Sequence, residues 1–222
     1  MLREYFDNNP GRVIHKWLHY FEIYERHLAR FCGKPVNLLE FGVFHGGSLQ
    51  MWKHFLGDQA LINGVDLAQL CKSLEEERVR IFIGDQADTA FLASLKTEVP
   101  RVDILIDDGG HTMEQQLATF RTLFDHIAED GVYICEDMHT SYWKEYGGGI
   151  RKPGTFMELA KGLIDQLNAW HTRDAEEFEI DDFTLSAHSM HFYDSMLVIE
   201  KRRMQPPVMH YTGTPAFDIP EG

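Results

Sequence analysis

Short apolar runs alternate with helical segments along most of the chain, and this alternation limits the fold more than any other feature. Val36-Asn-Leu-Leu-Glu-Phe-Gly42 reads as a buried strand running into a glycine turn. Runs of four or five residues follow at Leu61–Val65, Val79–Ile83, Val102–Ile106 and Val132–Cys135, most ending on an acidic residue or a glycine. Helical patterns lie between them, one from Leu49 to Phe55. The clearest spans Met113 to Ala128, with Met113, Leu117, Phe120, Phe124 and Ile127 on one stripe. Strands alternating with helices predict an α/β fold of parallel βαβ units with right-handed crossovers. Upstream, Gly11 to Phe31 carries Ile14, Trp17, Leu18, Phe21, Tyr24 and Leu28 at the spacing of one amphipathic helix. Downstream, a helix is expected from Phe156 to Asn168. Apolar runs around Phe183–Leu185 and Met196–Ile199 predict a terminal hairpin. Arg202 to Gly222, with four prolines, is expected to be an irregular strap or disordered.

Composition narrows the class of function. The chain has 222 residues, 44% of them hydrophobic and 25% charged, with a net charge of −14. That balance suits a globular core, and the acidic field disfavours nucleic acid and anionic membranes as partners. No apolar run approaches the roughly 20 residues needed to span a bilayer, and Met1 to Arg12 lacks the apolar stretch of a signal peptide. Cys32, Cys71 and Cys135 are odd in number and unevenly spaced, which argues against a disulfide framework or a cysteine zinc site. A cytoplasmic, single-core protein is expected.

In an open parallel sheet, ligands bind beyond the carboxyl ends of the strands, where strand order reverses. After the first strand comes Glu40-Phe-Gly42-Val-Phe-His45-Gly46-Gly47-Ser48. Its glycines permit a tight turn and close approach of a ligand, although a glycine turn is also ordinary punctuation. The spacing is G-x-x-x-G-G, unlike that of dinucleotide enzymes. Asp66 ends the second strand, 24 residues past Gly42, where a ribose hydroxyl pair would be held; a helix N-cap is the alternative. Gly84-Asp85-Gln86 could edge an adenine or cap the next helix.

The sharpest feature is Asp107-Asp108-Gly109-Gly110-His111, echoed by Glu136-Asp137 at the end of the fifth strand. Adjacent carboxylates are costly to desolvate unless a cation or donors compensate. Two such clusters at neighbouring strand ends suit a hard cation, Mg²⁺ or Mn²⁺. His111 is either a solvated loop histidine or a general base beside that metal, since imidazole titrates near neutrality. His45 shares the glycine turn.

Together, Glu40–Ser48, Asp66, Gly84-Asp85-Gln86, Asp107–His111 and Glu136-Asp137-Met138-His139-Thr140-Ser141-Tyr142-Trp143 resemble the class I S-adenosylmethionine-dependent methyltransferases. They are similar in particular to the metal-dependent sugar O-methyltransferases of the mycinamicin and macrocin type. The resemblance covers Trp17 to Lys201 and implies a Rossmann-like seven-stranded sheet with helices on both faces and an antiparallel terminal strand, here Phe192–Glu200. It divides the chain into an N-terminal helical cap (1–35), an S-adenosylmethionine-binding catalytic domain (36–201) and a tail (202–222).

By the same resemblance Asp108, Glu136 and Asp137 would hold Mg²⁺ (or Mn²⁺), with His111 and Asp108 catalytic. Glu40, Gly42, His45, Gly46, Ser48, Asp66, Asp85, Gln86 and Asp107 would form the cofactor site. The implied reaction is Mg²⁺-dependent methylation of a hydroxyl on a sugar or glycosylated natural product, a small-molecule acceptor. A catechol-type or other small-molecule acceptor is the alternative, ahead of a nicotinamide-dependent oxidoreductase. Tyr142-Trp143 to Gly149 would form a mobile lid. The aromatic N-terminal helix is either core or the interface of a homo-oligomer.

Overall fold

A computed structural model of the chain describes residues 1–174 and 178–217. Five parallel strands form first: β1 (Asn37–Phe41), β2 (Leu61–Asp66), β3 (Val79–Ile83), β4 (Val102–Asp107) and β5 (Ile127–Cys135). The chain then adds β6 (Ala187–Tyr193) and β7 (Met196–Lys201), giving one seven-stranded sheet in the order β3-β2-β1-β4-β5-β7-β6. β7 pairs antiparallel with both β5 and β6, so it alone opposes the other strands. The expected seven-stranded sheet with an antiparallel terminal strand is therefore present.

Both faces of the sheet are covered, and strand side chains alternate strictly between two cores. Leu38, Ile104, Ile106, Val132, Ile134, Met196 and Val198 point to the face packed by α1 (Leu2–Asp7), α2 (Tyr20–Leu28) and α3 (Gly47–Leu56). Leu39, Leu105, Tyr133, Cys135, Leu197 and Ile199 point to the opposite face. That face is packed by α4 (Thr89–Glu98), α5 (Met113–Leu123), α6 (Phe156–Leu167) and α7 (Asp182–Ser186). Strand order reverses between β1 and β4, which places the ligand crevice where Gly42 and Asp108 emerge.

Several local expectations are corrected. The N-terminal helix begins only at Tyr20; residues 8–19 form an irregular arm, on which Trp17 and Leu18 are more than half exposed. A separate short helix, α1, precedes it. Tyr20, Phe21, Ile23, Tyr24 and Leu28 are buried in the core. Helix α5 stops at Leu123 and Ile127 opens β5, because the stripe simply continues across a turn in which His126 N donates to the Leu123 carbonyl. Phe183–Leu185 lies in α7, capped by Asp181 through a reciprocal bond with Thr184, so the hairpin partner of β7 is Ala187–Tyr193. Phe192 and Tyr193 accordingly belong to β6. The tail is irregular over 202–217; 218–222 lie outside the described residues. Among the described residues no helix is long and apolar enough to cross a membrane.

Candidate active site

Strand periodicity brings three acids to one spot. Leu38, Ile106 and Ile134 face α2 and α3, so the residues two positions on, Glu40, Asp108 and Glu136, emerge on that same side. Asp107 points the other way. There it is fully buried and accepts from Gln86 Nε2 at 2.6 Å and Tyr133 OH at 3.4 Å. Burial pushes its carboxyl up to about 7.

The acids meet a cation that the sequence did not advertise. Lys16, on the irregular arm, places Nζ 2.6 Å from Asp108 Oδ2, 2.9 and 3.1 Å from the two oxygens of Glu136, and 3.3 Å from Glu40 Oε1. Its side chain is 2% exposed. Burial would lower the lysine's pKa, but Asp108, Glu136 and Glu40 outweigh that and hold it well above the usual value. Glu136 is pushed up by burial and by Asp108, against Lys16 and the Tyr24 hydroxyl, which donates to Oε1 at 2.6 Å. Glu40 also accepts from Ser48 Oγ at 2.6 Å and Trp52 Nε1 at 3.0 Å, so every charge in this largely buried cluster is hydrogen-bonded.

Asp137 sits beside this group. Its Oδ1 accepts from Trp17 Nε1 at 3.1 Å and Tyr20 OH at 2.9 Å. That leaves Oδ2 facing His111 Nε2 at 3.6 Å, while Asp108 Oδ1 faces the same nitrogen at 3.9 Å. Atoms of Asp108, His111 and Asp137 lie within 4.8 Å of one another, and the two carboxylates suit a hard divalent cation; Glu136, held by Lys16 and Tyr24, is not part of this group. The other ring nitrogen of His111 is buried without a hydrogen-bond partner. Lys16, Trp17, Tyr20 and Tyr24 were missed because their roles come from contacts more than 90 residues away in sequence.

These groups open into a cavity of about 980 Å³ at the strand-order switch. Gly42, His45, Asp66, Asp85, Gln86, Asp108, His111, Glu136 and Asp137 line it; Glu40, Gly46, Ser48 and Asp107 lie behind the lining. Asp66 Oδ2 accepts from the amides of Val43 and Phe44, at 2.9 and 3.1 Å, and Oδ1 accepts from Ala68 N at 2.8 Å. The carboxylate thus fixes the turn after β1 as well as its own. Gln86 Oε1 accepts from Gly110 N at 3.1 Å, and Asp85 Oδ1 from Ala87 N at 2.8 Å. A Cβ on Gly42, whose φ is +91°, would lie 2.1 Å from the Asp108 carbonyl, so this glycine is required for β1 and β4 to end side by side. Phe44, His111 and Asp137, three non-glycine residues with φ between 51° and 57°, all line the cavity. Such backbone costs about 1–3 kcal/mol each and clusters where geometry serves a ligand. Residues Met138–Tyr142 and Lys144–Tyr146 form short helical turns, with Trp143 packed against His139 at 4.6 Å between ring centroids.

Comparison with known proteins finds methyltransferases with the same fold. A methyltransferase-domain family model matches residues 39–138. Demethylmacrocin O-methyltransferase of Streptomyces fradiae is 35% identical over 202 residues, covering 84% of this chain and 50% of that protein. Mycinamicin VI 2''-O-methyltransferase of Micromonospora griseorubida is 32% identical, covering 84% and 49%. The structure of the MycE methyltransferase from mycinamycin biosynthesis, in complex with Mg and SAH, superposes with a TM-score of 0.79 at 31% identity, covering 91% of this chain and 54% of that one. The chain spans about half the length of the curated relatives it matches. By its sheet, its crevice and these matches, the chain has the class I methyltransferase fold and is similar to the sugar O-methyltransferases of the macrocin and mycinamicin type.

Proposed function

We propose that the chain transfers a methyl group from S-adenosylmethionine to a hydroxyl of a sugar on a glycosylated small molecule, with Mg²⁺ or Mn²⁺ at Asp108 and Asp137; Glu136, which the same reading assigns to the ion, would have to release Lys16 or Tyr24 to join them. The observation that carries this reading is the convergence of one oxygen each of Asp108 and Asp137 on His111 in the lining of the cavity. The relatives support the acceptor class: one is named for macrocin, and a MycE structure holds Mg, SAH and mycinamycin VI. A net charge of −14 supports a small neutral acceptor over a nucleic acid.

When bound, the sulfonium donor supplies an electrophilic methyl group and the divalent cation acidifies an oxygen beside it. The chain's own groups do the rest. Asp66, Asp85 and Gln86 would border the nucleoside, with Gly42 and His45 beside the donor. His111 Nε2 takes the hydroxyl proton as the acceptor oxygen forms its bond to the methyl carbon and the carbon–sulfur bond breaks. The strained backbone of His111 and Asp137 holds both groups at the reacting oxygen before substrate arrives.

The test is a calorimetric titration of S-adenosylmethionine into metal-stripped protein, followed by methyl-transfer assays with rhamnosyl and macrolide glycosides and with catechols, with and without Mg²⁺. Cofactor binding, with Mg²⁺-dependent methylation of a glycoside, is expected. Methylation of catechols alone would move the acceptor class, and failure to bind the cofactor would overturn the reading.

A further inference from the structure

Residues 8–19 have no regular structure, yet they are tied down along their length. Asn9 Nδ2 donates to the Arg12 carbonyl at 2.8 Å, and Arg12 Nη1 donates to the Leu74 carbonyl at 2.9 Å. The Val13 carbonyl crosses the start of α3 so closely that a Cβ on Gly47 would lie 2.3 Å from it. This anchoring brings Lys16 and Trp17, with Tyr20 at the start of α2, to the acid cluster. Lys16 Nζ holds Asp108 Oδ2 and both oxygens of Glu136. Trp17 and Tyr20 both hold Asp137 Oδ1. Asp108 and Asp137 are thus each gripped on one side, and their opposite oxygens point at His111.

We propose that Lys16 is a positioning residue, a resident cation on the N-terminal arm that holds the acids in ligating geometry while opposing the charge of the incoming metal. The inference rests on the metal-dependent reading above and adds a residue to it. Glu40, Asp108 and Glu136 crowd around one ammonium, and without it they would repel one another at a largely buried spot. With it, the cluster keeps one shape whether or not a divalent ion is present. The same charge stands a few ångströms from any ion between Asp108 and Asp137, so it lowers the affinity for that ion. Removing it exchanges a preset, moderate site for a looser one with a higher charge deficit.

The experiment is a titration of Mn²⁺ into the full chain, followed by calorimetry and by the electron paramagnetic resonance of free Mn²⁺, for the unaltered protein, Lys16→Met and Lys16→Arg. Lys16→Met is expected to bind Mn²⁺ at least about tenfold more tightly, because the opposing charge is gone. Its Tm without metal falls, and kcat falls while the affinity for S-adenosylmethionine holds. Lys16→Arg keeps the charge and so keeps an affinity within about threefold of the unaltered protein. Should Lys16→Met be unfolded without metal, millimolar Mn²⁺ is expected to restore its melting transition, and failure to do so would overturn the proposal. Mn²⁺ affinity in Lys16→Met that is equal or weaker would also overturn it, leaving the enzyme reading intact. An unaltered protein that binds S-adenosylmethionine but no Mn²⁺ would remove the metal-dependent reading and this proposal together.

Discussion

Gln86 Nε2 donates to Asp107 Oδ1 at 2.6 Å, tying the loop after β3 to the last residue of β4 beneath the cavity. The same amide donates to Thr119 Oγ1 at 2.9 Å and accepts from Gly110 N at 3.1 Å, so one side chain braces three segments around the site.

Asp107 gives a pH prediction with a definite sign. Burial raises its folded pKa to about 7, with Asp108 adding to the rise and Gln86 opposing it. The folded state therefore binds more protons than the unfolded state between about pH 4 and 7, and stability falls as pH rises through that window. Asp107→Asn cannot titrate. Relative to the unaltered protein, its unfolding free energy should improve from pH 4.5 to pH 7.5, by at most about 1.4 kcal/mol per pH unit. Urea melts at both pH values measure this; a difference that does not change with pH would remove Asp107 from the acid side of the stability profile.

Gly47→Ala tests the seat of the N-terminal arm. The added Cβ would lie 2.3 Å from the Val13 carbonyl and 2.5 Å from that of Arg12, distances that backbone atoms cannot tolerate. Alanine suits a helix, so α3 should survive while the arm lifts. Faster amide exchange confined to residues 8–19, together with a shifted Trp17 emission, is the expected result. Unchanged exchange there would show that the arm has room to spare.

The chemistry was legible because period-two strands leave acids at their ends. Asp107, Asp108, Glu136 and Asp137 each follow a short apolar run, bounded by turn signals, that reads as a buried strand. The sheet's register then brings Asp107 beside Cys135, and the acids after them converge. Lys16 was not legible. It lies on an irregular arm, and nothing local distinguishes it from a solvated lysine. The Gly11–Phe31 stripe misled for a related reason: Ile14, Trp17 and Leu18 share the spacing of the helix that starts at Tyr20, but Trp17 turns to Asp137. Gly46-Gly47 were read as room for a ligand, whereas a Cβ at Gly47 would meet the chain's own Val13 and Arg12 carbonyls; Gly42 makes the tight turn expected of it, against the Asp108 carbonyl.

Lys201 sets a stability trend at alkaline pH. Its Nζ donates to the carbonyls of Phe124 and Ile127 at 2.7 and 2.8 Å, locking the end of β7 to the turn before β5. Burial lowers its pKa to about 8, so between about pH 8 and 10.5 the unfolded chain binds more protons and stability rises with pH. Lys201→Met should lose about 1–3 kcal/mol at pH 7, from two carbonyls left unpaired. Its deficit should widen as pH approaches 10, since only the unaltered protein gains over that range. Guanidinium melts at pH 7.5 and 9.5 decide it; a deficit that narrows would contradict the assigned sign.

His111→Gln separates proton transfer from cation holding. Glutamine retains a polar tip in the same loop but cannot take a proton at neutral pH. Asp108 and Asp137 keep their partners, Lys16 on one and Trp17 with Tyr20 on the other, so the cation-binding oxygens remain in place. The cofactor lining at Asp66 and Asp85 is likewise untouched. Turnover should fall by about 10²–10⁴-fold, the usual contribution of a general base. Mn²⁺ and S-adenosylmethionine affinities should stay within about threefold, corresponding to less than about 0.7 kcal/mol. Single-turnover methylation alongside the two binding titrations distinguishes the roles. A parallel loss of Mn²⁺ binding would make His111 a metal ligand first, and undiminished turnover would place the base elsewhere on the rim.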